Sequence, residues 1–173
     1  MSRATLCKVR LMRPWPFSMS VLLVLVAHIF AQPGQQKVAA LKLSDDEKQL
    51  LELTNAERKK EKLPLLMAHP LLFHAARAHA HNMAKQEKLE HELDGKSPFD
   101  RLDDAKYDFK SGGENIGMSA GDTPVADVFK LWMESEKHRA NVLSAKYTEI
   151  GLGLAKNGKG ETYCTQVFAT PMK

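Results

Sequence analysis

The segment Thr148-Glu149-Ile150-Gly151-Leu152-Gly153-Leu154, the turn Asn157-Gly158-Lys159-Gly160 and the segment Thr162 to Ala169 read together as a β-hairpin. In the first arm Ile150, Leu152 and Leu154 share one side while Gly151 and Gly153 occupy the other, the two-residue period of a strand. Glycine inside a strand marks a place where another backbone comes close. The second arm presents Tyr163, Thr165, Val167 and Ala169 on one face and Cys164, Gln166 and Phe168 on the other. Neither face is built for water, so the pattern predicts helices on both sides of this sheet.

Working outward, Ser44 and Glu47 have capping-box spacing ahead of a run free of Gly and Pro, which predicts a helix over 44–62. Leu50, Leu51, Leu53 and Thr54 supply its apolar stripe, and Arg58-Lys59-Lys60-Glu61-Lys62 reads as solvated surface. Pro70 suits the first turn of a second helix reaching about Lys88, with Leu72, Ala76, His79 and Met83 on one face. Ser97-Pro98 opens a short helix carrying Phe99 and Leu102, broken off by Gly112-Gly113. Asp122-Thr123-Pro124 opens another, with Val125, Val128, Phe129 and Trp132 as its stripe, ending near Glu136. Helices followed by a small sheet covered on both faces predict the α+β class: an alpha-beta-alpha sandwich with a small antiparallel sheet between helices.

At 173 residues the chain is one domain's worth. Its net charge of +4 suggests a nucleic-acid partner until it is located. Arg3, Lys8, Arg10 and Arg13 sit in the first 31 residues with no acid among them; removing these four from 25 basic residues leaves 21, against 21 acidic. No nucleic-acid partner is therefore expected. The basic start, the apolar run Val21 to Ala27 continued by His28-Ile29-Phe30, and the small Ala31 before Gln32-Pro33-Gly34 predict a signal peptide over 1–31. The apolar run is shorter than the roughly 18 residues a membrane span needs, so no stable span is expected after cleavage. Residues 32–42 read as a polar linker and 43–173 as the folded domain, secreted or periplasmic. Cleavage removes Cys7 and leaves Cys164 unpaired, so the fold must hold by its core.

His74, His79 and His81 invite a metal reading, but residues two apart on a helix point to different sides and none of the three is paired at three or four. A structural or solvent-exposed role is expected for them. His91-Glu92 is not a zinc-protease helix motif either, because Gly95 stands where the second histidine would fall.

Six further segments carry more information: Leu53 to Arg58, Leu89-Glu90-His91, Gly113-Glu114-Asn115-Ile116, Trp132 to Leu143, Thr148 to Gly153 and Thr165-Gln166-Val167-Phe168. In this order and spacing, over about Leu43 to Thr170, the chain resembles the CAP superfamily of cysteine-rich secretory, antigen 5 and pathogenesis-related proteins, and its bacterial branch best. The resemblance implies a surface ligand cleft lined by His91, Glu114, Ser135 and His138, with Asn115, Arg139 and Asn141 bracing the loops. Many relatives carry an acid where Ser135 stands, and bacterial relatives often carry Pro-Gly where Glu136-Lys137 precedes His138.

Two imidazoles and a carboxylate, here His91, His138 and Glu114, can supply three ligands to zinc or another divalent cation and leave a fourth position open. The same groups, Glu114 and His138 above all, can do acid-base catalysis. They can equally form a structural hydrogen-bonded cluster. A serine nucleophile at Ser135 is disfavoured because no acid is placed to orient His138. The function expected from the resemblance is binding without catalysis, of a small apolar or lipid-like ligand or a divalent ion, with no cofactor required. A metal-assisted hydrolase or peptidase using the same cleft, and an envelope interaction protein with a vestigial cleft, are the alternatives. Fold alone does not choose among them.

Overall fold

The computed structural model describes residues 41–172. The expected signal peptide and nearly all of the linker lie outside them. In chain order the elements are α1 (Asp45–Lys60), β1 (Met67–Ala68), α2 (Pro70–Gln86), α3 (Pro98–Asp104), β2 (Phe109–Ser119), α4 (Pro124–Glu134), α5 (Glu136–Val142), β3 (Glu149–Lys156) and β4 (Thr162–Pro171). The sheet order is β1-β3-β4-β2. The β3–β4 hairpin of the sequence reading is at its centre, with Gly151 opposite Val167 and Gly153 opposite Thr165.

The two faces of β4 are buried as its sequence requires, and each meets its own helices. Val167 and Ala169 pack with Leu72, Ala75 and Ala76 of α2 and Leu102 of α3. Cys164 and Phe168 pack on the opposite side with Leu50 of α1, Val128 and Trp132 of α4 and Val142 of α5. This is the expected alpha-beta-alpha sandwich. Burial pushes the Cys164 thiol up to about 12, which leaves it unreactive. No helix among the described residues is long and apolar enough to cross a membrane.

The glycines of β3 explain how closely the layers fit. A Cβ at Gly151 would lie 2.0 Å from the backbone carbon of Leu72, and one at Gly153 would lie 2.3 Å from that of Ala76. Helix α2 thus rests its own main chain on the strand, a contact that no side chain permits.

Four expectations need correction. Gly112-Gly113 does not simply end a helix; it belongs to β2, an eleven-residue edge strand antiparallel to β4. The sheet is not wholly antiparallel, because the two-residue β1 runs parallel to β3. The helix expected to end near Glu136 stops at Glu134, and Ser135, with an extended ψ of 122°, separates it from α5. Arg58 is not solvated surface. It is fully buried and donates to the carbonyls of Pro64, Val142, Ser144 and Tyr147 at 2.8–3.3 Å, so its charge is solvated by peptide oxygens alone. Arg139 is exposed and donates to Met133 O at 3.1 Å, across the α4–α5 junction.

Side chains cap the carbonyls of β2. Tyr147 Oη donates to Gly112 O at 3.1 Å, Asn141 Nδ2 to Glu114 O at 3.2 Å and Trp132 Nε1 to Ile116 O at 2.8 Å. These three bonds attach α4, α5 and the following loop to the strand.

The close approach of α2 predicts that Gly153→Ala loses at least about 3 kcal/mol in urea denaturation, since the added methyl meets backbone that has no rotamer to move. Gly158, with open space around it, is the control and should tolerate Ala within about 0.5 kcal/mol. Equal stability of both variants would contradict this packing.

Candidate functional site

Glu114 lies opposite Val167 in the β2–β4 register and so faces α2, whereas Asn115 lies opposite Gln166 and faces α1 and α5. The next-door residues of one strand therefore serve opposite sides of the sheet.

On the α2 side, the buried Glu114 carboxylate is shared. His91 Nδ1 donates to Oε1 at 2.8 Å, and Arg101 Nη2 donates to Oε2 at 2.7 Å. Arg101 also donates to the carbonyls of His91 and Lys96 at 3.0 and 2.9 Å, which fixes the loop that carries His91. The His91 side chain is 49% exposed, against 2% for Glu114. In the neutral tautomer that donates Nδ1–H to the carboxylate, the lone pair of His91 is on Nε2.

His79 approaches the same carboxylate from α2, its Nε2 3.8 Å from Glu114 Oε1. That is too long for a hydrogen bond. The ring is completely buried and neither nitrogen makes a well-formed hydrogen bond, the backbone of Glu90 being only in marginal contact with it. Burial lowers its pKa, opposed by the Glu114 charge. Sequence reasoning sets His79 aside with His74 and His81, yet of the three only His79 is buried. The signal for it is its place on the Leu72, Ala76 and Met83 stripe. Arg101, on a short helix amid acidic residues, gives no such signal.

On the other side, buried amides form a chain. Asn141 Nδ2 donates to Asn115 Oδ1 at 2.9 Å; Asn115 Nδ2 donates to His138 O at 3.0 Å and Gln166 Oε1 at 3.2 Å. Gln166 Nε2 donates to Thr54 Oγ1 at 2.7 Å, and Thr54 in turn to Leu50 O. The chain ties α5, β2, β4 and α1 together and holds the backbone of His138 in place. Burial lowers the pKa of the His138 ring, and nearby His91 adds to the effect. Ser135 sits at the α4–α5 junction, and its side chain makes no capping hydrogen bond to α5.

The structure thus joins His91 to Glu114 directly and anchors His138, through its backbone, to the amide chain on the opposite face of β2. Among the described residues no group of three or more His, Cys, Asp or Glu side chains is arranged to hold a metal ion. The expected three-ligand convergence of His91, Glu114 and His138 is not found. The physical reason is that Glu114 is already committed, one oxygen to His91 and the other to a guanidinium.

A buried carboxylate wrapped by an oriented histidine on the edge of a three-layer sandwich defines a class, and comparison with known sequences gives it a family. The chain belongs to CAP, the cysteine-rich secretory protein family, which matches residues 51–168. It is 38% identical over 113 residues to the uncharacterized protein YkwD of Bacillus subtilis (strain 168), a match covering 65% of this chain and 43% of that one. It therefore spans less than half the length of the curated relatives it matches. Among solved structures, an SCP-domain extracellular protein of Bacillus anthracis has a TM-score of 0.64 at 26% identity, over 75% of this chain and 45% of that one. An outer surface protein of Borrelia burgdorferi has a TM-score of 0.68 at 22% identity, over 76% and 97%, and shares the fold.

His79 makes stability depend on pH. Its folded pKa lies below the ordinary 6.5, so the unfolded chain takes up a proton first as pH falls. The contribution is complete above pH 6.5 and is lost as pH drops from there toward the folded pKa. Tm should fall between pH 7 and pH 5, and His79→Phe should make that decline shallower, with the part due to His138 remaining. An unchanged slope in the variant would show that His79 does not titrate as its burial implies.

Proposed function

We propose that the cleft is a binding site for a divalent cation, held by the imidazoles of His91 and His138, in an exported domain that acts by binding and not by catalysis. The observation that carries this reading is the 2.8 Å bond from His91 Nδ1 to Glu114, which orients a half-exposed ring and leaves its Nε2 free. A carboxylate behind a histidine is the arrangement that orients metal-binding imidazoles and raises their basicity. Glu114 does not fit as a third ligand, because Arg101 already neutralises it; it fits behind His91. A bound ion would supply a Lewis-acidic centre, with water completing its shell.

The commitment of both Glu114 oxygens also weighs against the hydrolase reading, which needs a carboxylate free to accept a proton from water. The residues named for this cleft, His91, Glu114, Ser135 and His138, are all polar, which favours an ion over an apolar or lipid-like ligand there. Export is supported by the basic, apolar and small-residue succession ending at Ala31, and a similar Bacillus anthracis protein is extracellular.

Zinc at about 100-fold over its Kd should stabilise the fold by roughly 2.7 kcal/mol, read as a rise in Tm. His91→Ala or His138→Ala should abolish that rise and leave the zinc-free protein folded. No shift with zinc, or an equal shift in the double variant, would overturn the reading.

Intact mass of the protein secreted by its own host should correspond to a chain beginning at Gln32. A secreted product retaining Met1 would refute the assignment of residues 1–31.

A further inference from the structure

Two histidines face one oxygen of Glu114. His91 Nδ1 stands 2.8 Å from Oε1, and His79 Nε2 stands 3.8 Å from the same atom. Their needs differ. The His79 ring has no side-chain exposure and only the marginal contact with the Glu90 backbone, whereas the His91 side chain is 49% exposed and can bond to water. A buried polar atom left without a partner is costly, and a solvated one is not. A carboxylate free to turn would therefore go to His79, which a shift of roughly 1 Å brings within hydrogen-bond reach. In the structure it goes to His91.

Arg101 holds it there. The guanidinium donates to Glu114 Oε2 at 2.7 Å, to the carbonyl of His91 at 3.0 Å and to that of Lys96 at 2.9 Å, with its side chain only 11% exposed. One planar fork thus grips both the carboxylate and the main chain of the histidine that the carboxylate serves. With Oε2 fixed, the direction of Oε1 is set. With the His91 carbonyl fixed, the ring is presented to it.

We infer that Arg101 is the positioning residue of the cleft: it turns Glu114 away from buried His79 and onto His91, and so decides which of the two rings is oriented and on which nitrogen that ring keeps its lone pair. For a cation the inference rests on the reading of the cleft given above, since His91 Nε2 would hold the ion and Arg101 acts only through Glu114 and the His91 main chain. Partners placed behind a metal ligand in this way are worth about 10–100-fold in metal affinity.

Proton–nitrogen NMR of the histidine rings in the zinc-free protein, near pH 8 where free imidazole is neutral, tests the orientation without any ion. Wild-type His91 should carry its proton on Nδ1. Arg101→Lys keeps the charge beside Glu114 but replaces the fork by a point charge, and Arg101→Gln removes the charge as well. In both variants His79 should gain a slowly exchanging Nε2 proton and His91 should become a mixture of tautomers, and the Kd for zinc should rise about ten-fold or more. His79→Phe alone should leave that Kd unchanged. Added to Arg101→Lys it should restore most of the lost affinity, because the carboxylate then has no second imidazole to turn to; a merely structural arginine gives no such rescue. Nδ1 protonation of His91 that persists in both variants, a loss that His79→Phe does not restore, or failure of Arg101→Lys to melt cooperatively overturns the inference. If the wild type binds no zinc, the cation reading fails and the nitrogen signals alone decide the role of Arg101.

Discussion

The contact on which the molecule depends is the one between the main chain of α2 and the glycines of β3. With Gly151 and Gly153 bare, the helix sits against the strand at Leu72 and Ala76. A helix seated that low brings its next inward residue, His79, to the level of the sheet and within 3.8 Å of a carboxylate on β2, two strands away. Any side chain on those glycines would lift the helix, and His79, behind Glu114, would move with it. Packing density and site geometry are here the same constraint.

Strand β2 divides the site chemically. Its even residue Glu114 is held by a charged set from the α2 side, and its odd neighbour Asn115 by amides that reach through β4 to α1. Buried polar networks of this kind rigidify when every member is satisfied. The amide chain comes close to that condition, whereas His79 makes no well-formed hydrogen bond. The buried ring of His79 lies behind the carboxylate that orients His91, and only His91 reaches open space.

Local pattern makes the hairpin legible, because alternation and glycine placement are properties of the strand itself. Helix α2 is legible from Pro70 and the Leu72–Met83 stripe. Strand β2 is not: Gly112-Gly113 reads as the end of a helix, and what makes this segment a strand is its pairing with β4, some fifty residues on, with its outer carbonyls capped by Tyr147, Asn141 and Trp132. Arg58 misleads for a similar reason, since its carbonyl partners lie mostly beyond residue 140 and the charged residues that follow it, Lys59 to Lys62, are all exposed. The cleft residues His91, Glu114 and His138 are named through resemblance, and nothing in the sequence says that Arg101 claims an oxygen of Glu114.

The capped edge has a consequence at high protein concentration. Exposed strand edges recruit further strands, from neighbouring copies or from unfolded chains. At one end of this sheet three carbonyls of β2 are already bonded by side chains, so an incoming strand would have to displace a tryptophan, an asparagine and a tyrosine from their places. At the other end β1 offers only two residues. Growth of the sheet into fibres is obstructed at both ends, and a domain whose described residues hold a single, buried cysteine can remain monodisperse without the disulfides that secreted folds commonly use.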